Sequence, residues 1–508
     1  MRSRLLFSDR DLVVPATHRS RVTRGTTHPT PSGPKNATAA DLGLDLLWDA
    51  MGGGDEFVRA VSAAVTNEPL ADPDAIRYRQ EVLEDGLRDP DALRRLHQLA
   101  VDAIEAEAGV YHSAFRETGE SLLRRSLKVL ALFMDALRAL HALAEEKAEH
   151  ATSRALTRFY EQILAELDDA YLAELEQHAQ TLRFPRGLVL SAHLGAGNAG
   201  TDYVLRSPLS RNRGNWWRRR ALKAPTYDFT IAERDQAGFE ALAVMRDRGV
   251  TLAARALGES VDHILQFFIA LRTDTAFYLG ALNLHAGLTA IGHEVCRPVV
   301  EEPGRELRAE ALYDPCLALR TKHLVVGNDL HATNLDLVVV TGANQGGKST
   351  FLRSLGVAFL MAQSGLFVAA SHFSTSTVTG LFTHFTREED PGMTAGKFDE
   401  ELARMSRITD RLRPGGLLLC NESFAATNER EGAEIAAGII EALREQSVRI
   451  VFVTHMFDLA RRYTGDDHTL FLRAERRSDG QRSYRLRVAP PEATSFGADL
   501  YQHIFHTT

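Results

Sequence analysis

The ten residues Thr341–Thr350, TGANQGGKST, constrain this chain more than any other stretch. They contain the spacing GxxxxGK[ST] as Gly342, Gly347, Lys348 and Ser349. An apolar run, Leu335–Val340, precedes them and a helix-like run, FLRSLGVAFLMAQ, follows. A glycine-rich turn between a buried strand and a helix presents backbone N–H groups and the helix's positive end to phosphate oxygens. Gly342, Ala343, Asn344, Gln345, Gly346 and Gly347 therefore form the expected phosphate cradle, with Thr350 closing the motif. Lys348 is expected on the β and γ phosphates and Ser349 on magnesium. Strands such as LDLVVVTG, GGLLLCNE and VRIVFVTH, alternating with helical stretches from about Leu307 onward, predict a parallel α/β sheet.

Hydrolysis at such a loop needs an acid at the end of a neighbouring strand, and GGLLLCNES supplies Asn421 followed by Glu422. Glu422 is the candidate for activating water. Asn421 stands where a metal-side aspartate is usual, and it offers an oxygen without a charge. The strand VRIVFVTH ends in Thr454 and His455, where the imidazole either senses the γ phosphate or has a structural role.

Upstream, residues 1–41 read as an N-terminal extension without chemistry of its own, and about 42–300 as a helical core. Leu123, Leu127, Leu130, Phe133, Met134, Leu137, Leu140 and Leu143 recur mostly at steps of three and four, and Asp-Pro at 72–73 and 89–90 marks two helix starts. Glycines and β-branched runs predict a small β-containing insertion at about 184–230, after which helix returns to about His293. The predicted fold class is multidomain α and α/β: a helical core with a small β-containing insertion, which the family resemblance given below makes a lever and a reduced clamp, then a P-loop domain over 301–508. Lys plus Arg total 59 and Asp plus Glu 67, a net charge of −8, so no global positive field draws nucleic acid to the chain. Three scattered cysteines, Cys296, Cys316 and Cys420, argue against a disulfide framework and for a cytoplasmic setting, and no stretch reads as a membrane span.

TGANQGGKSTFLRSLGVAFLMAQSGLFVAA resembles the P-loop and following helix of the MutS mismatch-repair ATPases, whose fold is ABC-like. NESFAATNEREGAEIA, FVTHMFDLA and PEATSFGADL resemble, in order, that family's acidic strand end, its switch-histidine strand and its closing segment. DPDAIRYRQEVLEDGLRDPDAL and FYLGALNLHAGLTAIGHEVCRPVV are similar to parts of the MutS core. The resemblance implies a homodimer through the ATPase domains, with ATP and Mg2+ in two composite sites. It places Asn328 of VVGND near the adenine.

Two features depart from the family's pattern. Its Ser-Thr-Phe element, which reaches the nucleotide across the dimer, meets GKFDEEL here, with Phe398 and Glu401 matching but Gly396 and Lys397 at the polar positions. Lys397 is either a point charge on the opposing nucleotide or a solvated surface lysine. The core pattern begins by about residue 42 and the chain stops just after the ATPase segments, so neither a mismatch-reading domain nor a nuclease tail is expected. The segment RNRGNWWRRRALK carries Arg211, Arg213, Arg218, Arg219, Arg220 and Lys223 around Trp216 and Trp217. It is either a DNA contact at the clamp or a solvated loop whose tryptophans plug the β insertion. The expected function is ATP-dependent clamping on a DNA structure in repair or recombination. The alternative is a nucleotide-switched assembly protein acting on a protein or ribosomal partner without DNA.

Overall fold

Asp72 accepts a hydrogen bond from the Asp74 N–H (3.0 Å), and Pro73 has no N–H to leave unpaired, so the first Asp-Pro pair opens helix Pro73–Arg88. The second opens helix Pro90–Ala108, where Asp89 caps the Ala92 N–H. The leucine-rich pattern is the buried stripe of helix Gly119–Lys147, entered through a Thr118–Ser121 capping box. The computed structural model describes residues 2–10, 12, 37–110, 118–185, 187–198, 200–206, 227–301, 306–333, 336–386, 396–476 and 482–492.

Two compact units emerge, and their limits differ from those expected. One unit comprises residues 1–3, 95–150 and 157–272; the other comprises 4–94, 151–156 and 273–508. In the first, helix Gly119–Lys147 packs on helix Gln236–Ile291, with the Phe133 and Phe268 rings 5.6 Å apart. A mostly exposed antiparallel hairpin, β1 (Val189–Leu194) with β2 (Gly200–Arg206), lies inside the predicted insertion. Helix Gln236–Ile291 supplies residues to both units.

The second unit holds two sheets. One has the order β3 (Val299–Glu301), β7 (His372–Ser376), β4 (Leu307–Leu312), β5 (Asn328–Ala332). The other has the order β12 (Arg482–Val488), β11 (Thr469–Arg476), β6 (Leu337–Gly342), β10 (Arg449–Val453), β9 (Leu417–Asn421), β8 (Leu381–Phe385). All but β12 run parallel in this second sheet, and β6, β9 and β10 are buried apolar runs, as strands covered on both faces must be. Val453 lies opposite both Val340 and Asn421, so the carboxyl ends of β6, β9 and β10 converge.

Residues 42–94 and 273–300 group with the sheets in the second compact unit. Periodicity identifies an apolar stripe but not the surface it covers. Asp41 pairs with Arg404 and accepts from Thr383 Oγ1 (2.7 Å), while Gln363 Nε2 donates to the Leu70 carbonyl (2.7 Å). The first residues are not a bare extension either. Leu5 and Leu6 are buried; the Leu5 N–H donates to Asp274 (2.8 Å), and Tyr278 donates to the Leu5 carbonyl (2.7 Å). Arg79 donates to the carbonyls of Leu6 (3.1 Å) and Ser364 (3.2 Å), and burial pulls its guanidinium down to about 10.

The three cysteines are free thiols, and no described helix is long and apolar enough to cross a membrane.

Candidate functional site

The loop after β6 can exist only with glycine at certain places. Gly342 has φ 106°, a backbone region closed to most side chains. A Cβ on Gly346 would lie 2.7 Å from the Ala474 Cβ and 2.8 Å from the Ala343 carbonyl oxygen, so β11 packs directly on the loop. Helix Lys348–Gln363 starts at the loop's end with no side-chain cap, so the first-turn N–H groups and the positive end of the helix lie at the loop. Lys348 folds beneath the loop, donating to the carbonyls of Gly342 (2.8 Å) and Ala343 (3.2 Å). Burial lowers the lysine's pKa, the Glu422 carboxylate opposes that shift, and the Arg482 cation adds to it.

At the end of β9, the Asn421 side-chain oxygen accepts from Ser349 Oγ at 3.0 Å. Two oxygens thus sit side by side at the loop's mouth. Glu422 follows in a left-handed conformation, φ 55°, which costs a non-glycine residue about 1–2 kcal/mol. Its N–H donates to Val453 (2.9 Å), and its carbonyl accepts from Thr386 Oγ1 (2.7 Å). Lys348, Ser349, Thr350, Asn344, Gln345, Gly346, Gly347 and Glu422 wall one cavity of about 670 Å³. That volume lies within the range of small-molecule sites.

The cavity's other wall comes from His323–Val326, Asn328 and Tyr484. Asn328 donates to the Tyr484 carbonyl (3.2 Å) and accepts from the Leu486 N–H (2.6 Å), so its carboxamide fastens β5 to β12 while facing the cavity. His455 is exposed just beyond β10, and it lies outside this wall. Lys397 begins helix Lys397–Thr409 and is likewise outside it. The basic segment from Arg211 to Lys223 lies outside the described residues.

Residues 338–493 match the model of MutS domain V, and residues 71–291 match that of the MutS2 N-terminal domain. The chain belongs to the MutS family. DNA mismatch repair protein MutS of Thermus thermophilus is 29% identical over 270 residues, 53% of this chain and 32% of that protein. Endonuclease MutS2 of Carboxydothermus hydrogenoformans is 36% identical over 129 residues, 25% of this chain and 16% of that protein. Endonuclease MutS2 of Streptococcus equi is 35% identical over 136 residues, 26% of this chain and 18% of that protein. The chain spans about a third or less of the length of these MutS and MutS2 relatives.

The MutS-family match encloses the whole glycine loop and both residues at the end of β9, but several neighbours of the cavity carry no motif. The loop His323–Val326 is held from behind by His293, whose Nε2 accepts from the Val325 N–H (3.1 Å) and whose ring stacks on Tyr313 with centroids 4.0 Å apart. Tyr484 lies in the hairpin β11–β12, far along the chain from the loop it faces. His384, Thr386 and Glu401 surround the turn after β9. Glu401 matches a position of the family's Ser-Thr-Phe element; nothing in spacing or composition marks the others, because their relevance follows from which strands and loops lie side by side.

Proposed function

We propose that this MutS-family chain binds ATP and Mg2+ in the cavity beside Lys348, hydrolyses the nucleotide slowly, and uses the cycle to clamp on a DNA structure other than a mismatch. The observation that carries the nucleotide reading is the convergence of Lys348, Ser349 and Glu422 on one cavity, with Asn421 hydrogen-bonded to Ser349. The donor set suits magnesium, since Ser349 Oγ and Asn421 Oδ1 are hard oxygens placed together at the helix start. The metal, when bound, neutralises phosphate charge.

The chain's own residues do the rest. Loop N–H groups and the helix start hold the phosphate oxygens, and Lys348 places a cation under them. The Glu422 carboxylate takes the proton of the attacking water as its oxygen bonds to the γ phosphorus and the bond to the leaving diphosphate breaks. Asn421 orients through its oxygen but adds no negative charge, which supports slow turnover. We also propose that His455 answers the γ phosphate, that Asn328 borders the adenine, and that Lys397 reaches the nucleotide of a second copy in a homodimer. The DNA part rests on the family and on the segment containing Trp216, Trp217 and Arg218–Arg220.

Magnesium-dependent ATP turnover tests the first part. Lys348→Ala is expected to weaken nucleotide binding about 100-fold, and Glu422→Gln to keep binding while lowering kcat about 100-fold or more. Turnover unchanged in Glu422→Gln removes that residue from the mechanism. For the second part, replacing Arg218, Arg219 and Arg220 should weaken DNA binding and flatten its salt dependence. An unmodified chain that binds no DNA with or without ATP supports action on a protein or ribosomal partner instead.

A further inference from the structure

The turn after β9 is fastened from the side as well as by its strand. Its residues Glu422 and Phe424 both have left-handed backbones, φ 55° and 66°, and Ser423 and Phe424 are buried. Two non-glycine residues so close together in this conformation are strained, and neighbouring contacts must offset that strain. Thr386 holds the Glu422 carbonyl, and Ser423 Oγ donates to the His384 carbonyl at 2.8 Å. The His384 ring lies between this turn and helix Lys397–Thr409: Nδ1 is 2.7 Å from Ser423 Oγ, and Nε2 donates to the Glu401 carbonyl at 3.0 Å. The Glu401 side chain then reaches back, and Oε2 accepts the Phe424 N–H at 3.0 Å.

Glu401 is a costly residue for that place. It is buried, and its Oε1 has no hydrogen-bond partner. A buried carboxylate with a vacant oxygen is disfavoured relative to a filled or apolar alternative. Burial raises its pKa, while the Phe424 N–H and the charges of Lys397 and Arg404 oppose that rise. Lys397 lies one helical turn before Glu401, so the charge at the helix start acts on the carboxylate that grips the turn.

We propose that Glu401 is a positioning residue: its carboxylate clips the Phe424 amide to the helix that begins at Lys397, so that this helix sets where the Glu422 side chain points. A shift of the helix start moves the Glu422 turn, and a chain lacking the clip binds nucleotide normally yet hydrolyses it poorly. The inference rests on Glu422 as the water-activating group.

The test uses the full chain, three variants of Glu401 and Glu422→Gln, with nucleotide affinity, KM and kcat measured for each. Glu401→Ala and the volume-preserving Glu401→Met are expected to lower kcat about tenfold while leaving KM and affinity within about twofold. Glu401→Gln, which still offers an oxygen to the Phe424 N–H, should return kcat to within about threefold of the unmodified chain. Amide exchange at Phe424 should speed up in Glu401→Met and stay slow in Glu401→Gln, a readout independent of turnover. Turnover that responds to Glu422→Gln but not to Glu401→Met overturns the clip alone. Turnover indifferent to Glu422→Gln overturns the underlying reading of Glu422, and Phe424 exchange still shows whether the clip exists.

Discussion

Two glycine-rich segments of this chain look alike on paper: TGANQGGKST at Thr341–Thr350 and LGAGNAG at Leu194–Gly200. In the first, a side chain on Gly346 would press within 2.8 Å of the Ala343 carbonyl oxygen, and the strand leading in is buried along nearly all its length. In the second, a Cβ on Gly197 would meet nothing within 4 Å, and one on Gly200 would meet only the movable end of Tyr203. Gly197 supplies a left-handed turn, φ 66°, for a hairpin whose strands are mostly exposed. Glycine count therefore says little. What separates a phosphate cradle from a hairpin turn is how closely the rest of the fold approaches the backbone, and which side chains that approach delivers.

The contrast gives a graded set of substitutions. Gly346→Ala should have the largest effect, a stability loss of about 2–3 kcal/mol with at least tenfold weaker nucleotide binding, because Ala474 and the Ala343 carbonyl cannot both retreat. Thermal unfolding and a fluorescent nucleotide titration measure it, and a fully tolerated alanine would erase the distinction between the two segments.

A smaller effect should come from the wall facing the cradle. Burial holds His293 below the ordinary histidine value of 6.5, and its Nε2 accepts from Val325 only while unprotonated. Because the unfolded chain binds that proton more readily, the contribution is full above the ordinary value and is lost as pH falls through the folded one. Nucleotide affinity should therefore weaken about threefold between about pH 7.5 and about pH 5.5, and His293→Gln, which keeps an acceptor without titrating there, should flatten that slope. Equal slopes in the two proteins would detach His293 from the cavity.

Gly197→Ala should do least: about 1 kcal/mol of strain from the left-handed turn and no change in nucleotide affinity. A loss of nucleotide binding in this variant would mean that the hairpin and the cradle are not separate in function.

Much of this was legible in the sequence, and the reasons differ by element. The cradle, the pair Asn421–Glu422 and the stripe from Leu123 to Leu143 rest on local spacing, which dictates local geometry. That residues 42–94 pack with the sheets was not legible, because Asp41 and Arg404 are 363 residues apart and helical periodicity is silent about such partners. His384 was invisible for a similar reason: it matters only because β8 lies beside β9, with His384 opposite Cys420, and strand order is not written in any one strand, whereas Glu401 was marked by resemblance but not its contact with the Phe424 amide. Lys397 and Asn328 were singled out by resemblance alone; the structure places Asn328 on the cavity wall and Lys397 off it.

The buried start of the chain has a consequence for how the protein is made. Tyr278, which holds the Leu5 carbonyl, is synthesised 273 residues after it, so at about 5–20 residues per second Leu5 and Leu6 wait roughly 15–55 s for the surfaces that cover them. Leu5 and Leu6 are thus enclosed long after they are made. During that interval two leucines and a phenylalanine lie open to solvent and to other nascent chains, and the second unit cannot close until Asp274 and Ser364 have emerged.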